Sequence, residues 1–153
     1  MVASYFDGVV PVPSETTKAE VLLGESAAHA AAGLDRGVEA LDLAGALESV
    51  MSLARATNLY INEAAPWKLA KDPSSEARER LATVLYWATE AIRHLSVLFS
   101  PAMPAASRRI RTQLGLPDVE HRPLAAALAW GDLAAGTKVN REEAVFPRLE
   151  AQA

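Results

Sequence analysis

Pro66 sets the first hard limit on this chain. Apolar residues recur at helical spacing from Leu43 to Ile61. A proline cannot carry that helix on, because its ring displaces a backbone carbonyl and it has no N–H to donate. The pattern must therefore stop inside the stretch Asn58–Lys71, NLYINEAAPWKLAK. Trp67 follows the break, and Lys68 and Lys71 are spaced to lie near one another on a short turn. Two roles fit these residues. A large aromatic can plug a helix end into a core, which residue type alone favours. A flat ring flanked by cations can instead stack an unpaired base and neutralise phosphate.

The sequence on either side reads as helices joined by short turns. Val2–Phe6 reads as a last helical turn with Gly8 as its left-handed cap, and Val9–Pro13 as extended chain. Ser14 or Thr16 is placed to cap a helix over Thr17–Leu34. Its apolar positions are Ala19, Leu22, Leu23, Ala27, Ala30 and Ala31, with Gly33 and Gly37 closing it. So many alanines predict close approach to a neighbouring helix. Asp42 caps the next helix, Leu43–Ala64, whose stripe is Leu43, Leu47, Val50, Met51, Ala54, Asn58 and Ile61. Asn58 is polar within that stripe and is expected to be hydrogen-bonded inside the bundle.

Asp72–Ser75 reads as a turn and cap that open the clearest helix, Glu76–Phe99. Its core face is Leu81, Val84, Leu85, Ala88, Ile92, Leu95 and Phe99. Trp87 lies off that face and is expected to pack against another helix. Pro104 suits the first turn of a helix over Ala105–Leu114 that turns Met103, Ala106, Ile110 and Leu114 inward and Arg108, Arg109 and Arg111 outward. Beyond Pro117 the pattern weakens to a short helix within Leu124–Trp130 and a turn-rich tail. The expected fold is all-α: one domain over residues 1–153, an antiparallel helical bundle with an irregular tail from about residue 116.

Composition narrows the function. The 153 residues carry a net charge of −4, so nucleic acid would have to be met by a local basic patch. Cysteine is absent, which removes disulfides and thiolate metal sites and fits a reducing cytosol. The N-terminal residues lack the pattern of a secretory signal, and no apolar run approaches the length of a membrane span. No Gly-rich phosphate loop, HExxH or GxSxG motif occurs. His29, His94 and His121 are scattered. The pairs Glu25/His29 and Glu90/His94 are four residues apart and read as surface ion pairs. Nothing here assembles a catalytic constellation or a metal site.

The segment Asn58–Lys71 resembles the signature helix end of the anticodon-binding domain of methionyl-tRNA synthetases. The likeness runs on both sides. Tyr5-Phe6-Asp7-Gly8 with Val10-Pro11 resembles that family's first interhelical turn. Leu81–Phe99 with Ser100–Pro104 is similar to its next long helix and closing turn. Gly131, Gly136–Val139 and Val145–Glu150 resemble its tail. The resemblance implies the helical bundle of class I synthetase anticodon-binding domains, which reads the CAU anticodon of methionine tRNA. It implies that Trp67 stacks on an anticodon base beside Pro66. Asn62 stands where the family often has an aspartate, so charge-based discrimination is not expected there. Lys68, Lys71, Arg108, Arg109 and Arg111 would supply phosphate contacts.

The resemblance also implies a parent enzyme that joins methionine to tRNA with ATP. The family's catalytic domain, with its HIGH- and KMSKS-type motifs and zinc-bearing insertion, has no counterpart in this sequence. Neither do an asparagine and an arginine on the helix before the YFDG turn. ATP and zinc belong to that catalytic part, and no cofactor is expected here. The expected partners are the anticodon loop of methionine tRNA and the parent's catalytic domain, in the cytoplasm, with neither DNA nor membrane. The rival expectation is a non-catalytic helical protein-interaction module, or a degenerate synthetase fragment.

Overall fold

A computed structural model describes residues 1–118, 123–140 and 142–147. The helices are α1 (Val2–Tyr5), α2 (Lys18–Glu39), α3 (Leu43–Ala64), α4 (Pro66–Leu69), α5 (Ser75–Leu98), α6 (Pro104–Gln113) and α7 (Leu124–Ala127). The architecture is an all-α bundle, as expected, and its axis is α5. That helix packs against α2, α3, α4 and α6. It is therefore buried on more than one face: Tyr86, Glu90, Arg93, His94 and Ser96 are enclosed along with Leu81, Val84, Leu85 and Ala88. The seven-residue apolar stripe expected from periodicity describes one side of a helix that is covered on several.

The cap of α2 is Thr17 rather than Ser14 or Thr16. Its Oγ1 accepts the Ala19 N–H at 3.3 Å, and the Glu20 carboxylate accepts the Thr17 N–H at 2.7 Å. The helix does not close at Gly33; it continues through Gly37 to Glu39. The two glycines are the contact surface of the α2–α3 hairpin. A Cβ at Gly37 would stand 2.6 Å from the Ala46 Cβ, and one at Gly33 would stand 2.5 Å from the Ser49 Cβ. Helix propensity at these positions gives way to backbone approach. Asp42 caps α3 as expected, accepting the Gly45 N–H at 2.9 Å.

The stripe assigned to α3 is displaced around the helix. The buried residues are Ala46, Val50, Leu53, Thr57 and Tyr60, while Leu43, Leu47 and Met51 are exposed. Asn58 is exposed too, so its expected buried role is overturned. Two rows of residues at helical spacing exist on α3, and the small residues of the true face hid it. Ala46 faces glycine, and the Thr57 hydroxyl is satisfied by the Leu53 carbonyl at 2.8 Å.

The segment after α6 is tied down by α5. Arg93 donates to the carbonyls of Ala127 at 2.5 Å and Ala129 at 2.6 Å, and Glu90 accepts the Gly131 N–H at 2.7 Å. Trp130 stacks on Trp87 with ring centroids 5.4 Å apart. Trp87 thus packs against this segment as well as against the main core that α2, α3 and α5 build. Glu90 and His94 form no surface pair: both are buried, with Glu90 bridged to Arg93 through both carboxylate oxygens at 2.7 Å. The charges are buried because each has an opposite charge and hydrogen bonds to carbonyls or amides around it. Glu25 and His29 are exposed. Residues 8–10 pair with 136–139 through Val10 N–H to Thr137 O at 2.9 Å and Val139 N–H to Gly8 O at 2.8 Å. His121 and Arg148–Glu150 lie outside the described residues.

Candidate nucleic-acid interface

The turn at Pro66 is built by an unusual backbone at one residue. Ala65 takes the left-handed conformation, φ 44° and ψ 57°, and its N–H still closes α3 on the Ile61 carbonyl at 3.0 Å. The proline ring disfavours right-handed helical geometry at the residue before it, which fits a helix that ends here. Pro66 then starts α4, where its missing N–H costs nothing. The turn is closed by Lys68 N–H to Ala65 O at 2.7 Å and Ala70 N–H to Pro66 O at 2.9 Å.

This geometry separates Pro66 and Trp67 by burial. Positions three apart share a face of a turn. Pro66 is buried and Leu69 packs against the main core, so these two close the helix end. Trp67 falls on the outer face and is 38% exposed. Lys68, Lys71 and Asn62 are also exposed. Trp67 is thus partly exposed to solvent and partly covered by the protein. The following turn is braced as well. The Asp72 carboxylate accepts the Ser74 N–H at 2.9 Å, and Ser74 Oγ caps α5 by accepting the Ala77 N–H at 3.2 Å. Hydrogen bonding from Ser74, its backbone N–H first, holds the Asp72 carboxyl below its usual range.

Two aromatic–ionic clusters fix the helices that carry this turn. Glu20 on α2 is 1% exposed and accepts from the Tyr60 hydroxyl at 2.6 Å and from Arg80 at 2.7 Å. Burial would raise its pKa, but hydrogen bonds from Arg80, Thr17 and Tyr60 outweigh it and hold the carboxyl at about 2. Burial and the neighbouring Glu20 push the Tyr60 hydroxyl up. Tyr60 lies one turn before the end of α3, so this cluster anchors the helix terminus from which Pro66 and Trp67 hang. The Thr17-x-x-Glu20 spacing was a visible capping signal. Its extension to Tyr60, forty residues on, had no sequence signal. Phe6 is covered by the Arg78 guanidinium, 4.0 Å above its centroid.

The arginines of α6 do not join the site. The segment 70–74 links α4 to the start of α5, whereas Arg111 reaches Ser96 Oγ at 3.4 Å, far along that helix. From Ser75 to Ser96 the helix rises about 30 Å. Arg108 and Arg109 are exposed at that distant end. Arg111 does not face away as expected. It is 3% exposed, and its Nε donates to the Pro117 carbonyl at 2.7 Å. It pins the chain after α6 and is not available to phosphate. A broad apolar groove of about 490 Å³, with Ile61, Leu85, Ala88 and Ile92 among its walls, opens beside α1 and the end of α6. Trp67 is not part of its lining.

Among the described residues no group of three metal-ligating side chains is present, and no helix is long and apolar enough to cross a membrane.

Together, these features define an all-α helical domain with a partly exposed tryptophan at the end of a helix. Comparison with known proteins makes that class specific. Residues 10–153 match the family model described as the anticodon binding domain of methionyl tRNA ligase. The chain belongs to that family. It is 39% identical over 155 residues to the methionine–tRNA ligase of Streptomyces coelicolor, covering 98% of this chain and 29% of that protein. It is 38% identical over 153 residues to the enzyme of Deinococcus radiodurans, covering 100% of this chain and 22% of that protein. In three dimensions it resembles the free methionyl-tRNA synthetase of Mycobacterium tuberculosis, with a TM-score of 0.90 at 30% identity. That match covers 99% of this chain and 30% of the other. The same organism's enzyme bound by methionyl-adenylate gives 0.87 at 30% identity, covering 96% and 28%. The chain thus spans under a third of the length of these relatives.

Proposed function

We propose that this domain reads the CAU anticodon of methionine tRNA. One unstacked anticodon base lies on the exposed face of Trp67, and Asn62 reads a base edge beside it. Lys68 and Lys71 offset the charge of the adjoining phosphates. Arg108 and Arg109 take no part in that contact, and Arg111 is committed within the fold. The observation that carries this reading is the indole itself: 38% exposed, on a turn whose neighbour Pro66 is buried. Ordering this surface in advance lowers the entropy lost on binding, so stacking on the ring retains its full value of about 1–3 kcal/mol per base.

The domain acts within a longer cytoplasmic ligase that attaches methionine to tRNA with ATP. Its catalytic part, which would hold the ATP and any zinc, is the second partner. A single domain spanning residues 1–153 is part of the same proposal. The test is binding of methionine tRNA anticodon stem-loops carrying CAU or a changed anticodon. A preference for CAU that weakens with added salt is expected. Equal binding of both stem-loops at every salt concentration would sink the reading.

A further inference from the structure

The end of α3 carries the turn that displays Trp67, yet it has few restraints of its own. No basic residue lies in its last turn to balance the terminal carbonyls. Ala65, which follows, is left-handed, a conformation that any side chain disfavours and that the surrounding structure must hold. Its N–H is tied back to the Ile61 carbonyl at 3.0 Å. Helix ends of this kind open most readily.

One side chain ties this end to the rest of the bundle by a polar bond. The Tyr60 hydroxyl, next to Ile61 in sequence, donates to Glu20 Oε1 on α2 at 2.6 Å. Among the described residues, no other side chain of α3 hydrogen-bonds to another helix. The acceptor is itself fixed. The Thr17 N–H and hydroxyl donate to Glu20 Oε2 at 2.7 and 2.6 Å, and Arg80 on α5 donates to Oε1 at 2.7 Å. Two helices hold the carboxylate, and Tyr60 binds the third to it. Tyr60 also belongs to the main core, against which Ile61, Ala64 and Leu69 pack. Those residues flank the Ala65–Pro66 turn on both sides.

We propose that Tyr60 is a positioning residue for anticodon binding: its hydroxyl, anchored on Glu20, sets the angle of the α3 terminus and so the direction in which Trp67 is displayed. The inference rests on the anticodon reading above. It assigns part of the affinity to a group that touches no RNA, since Tyr60 is 6% exposed. A base gains most from a ring already held in place, because little is then ordered on binding. Released from Glu20, the end of α3 frays and Trp67 samples several directions. The apparent affinity then falls with the fraction of time the ring is correctly aimed.

The test reads the three indole N–H signals of the full chain by nitrogen-15 NMR, with the Trp67 signal assigned from Trp67→Phe, beside binding of the CAU stem-loop. Tyr60→Phe keeps the ring and removes only the hydroxyl. It is expected to shift and broaden the Trp67 signal and to weaken CAU binding by about three- to tenfold, the cost of ordering one freed side chain. Val97→Ala, a buried truncation at the far end of α5, lowers stability without touching the tie and should leave both readouts unchanged. Glu20→Asp keeps the charge but draws the carboxylate back, so it should move the same signal; it is the variant to read if thermal melts show Tyr60→Phe unfolded. An unmoved Trp67 signal with wild-type affinity in Tyr60→Phe, or an equal loss of affinity in Val97→Ala, would overturn the proposal and leave the anticodon reading standing. A wild-type chain without preference for CAU fails that reading instead, and the Trp67 signal still reports whether Tyr60 aims the ring.

Discussion

The Tyr60 hydroxyl donates to Glu20 Oε1 at 2.6 Å across forty residues of sequence, joining the last turn of α3 to the first turn of α2. Arg80 on α5 donates to the same carboxylate at 2.7 Å. Three helices therefore meet on one buried charge, just behind the turn that displays Trp67. Tyr60→Phe removes one donor and leaves Glu20 with the others. A stability loss of about 1.5–3 kcal/mol is expected, the range for hydrogen bonds to charged groups. Urea denaturation measures it. A change below half of that would show that Arg80 and Thr17 hold the carboxylate without help.

Acid should unfold this protein through two carboxylates. Glu90 is held at about 2: burial would raise it, but bonds from Arg93 and His94 bring it down, as those from Arg80 and Thr17 do for Glu20. An unfolded glutamate titrates at about 4.3, so the unfolded chain binds more protons than the folded one between that pH and about 2. Stability from both groups is thus fully present above about pH 5 and is lost as pH falls through this window. Glu90→Gln should flatten the acid limb of a plot of unfolding free energy against pH. An unchanged limb would mean that other groups drive the acid transition.

Trp67→Ala should separate binding from folding. The ring is partly exposed and Pro66 and Leu69 carry the packing, so the stability change should stay below about 1 kcal/mol. Affinity for the CAU stem-loop should fall by about 1–3 kcal/mol, and Trp67→Phe should recover part of it. Lys68→Gln should instead reduce the salt dependence of binding. Calorimetry of both variants against stem-loop RNA distinguishes these effects. A large loss of stability in Trp67→Ala would return the ring to the role of a plug.

Gly37→Ala tests the α2–α3 contact with two opposed effects. Alanine in place of glycine favours a helix by about 1 kcal/mol. The added methyl would meet the Ala46 Cβ at 2.6 Å, in a contact where both partners are backbone-borne and cannot turn aside. Overpacking of this kind costs about 1–3 kcal/mol, so net destabilisation is expected. A rise in melting temperature would show that the hairpin opens easily.

Much of this domain was legible before any coordinates. Pro66 and the Asp42 and Ser74 caps each act within a few residues, and each sits where the local rule puts it. What misled was periodicity. On α3 the large residues Leu43, Leu47 and Met51 made the clearer stripe, yet the face of Ala46, Val50, Leu53 and Tyr60 is the one the bundle encloses. Glycine on the partner helix draws the backbones together, and close backbones select small residues. Glu90 and His94 read as a surface pair, with no role for Arg93, for a related reason. The Gly131 amide and the Ala127 and Ala129 carbonyls that satisfy them lie thirty to forty residues away.

By itself, then, the order of residues determined where the helices start and stop and that an aromatic must follow the break at Pro66, because steric limits and capping bonds act between near neighbours. Only the tertiary structure decided that Pro66 is buried and Trp67 partly exposed. It also decided that Arg111 is spent inside the fold and that Arg108 and Arg109 stand at the far end of α5. Burial depends on which distant element arrives to cover a residue, and that is settled by how the helices pack together.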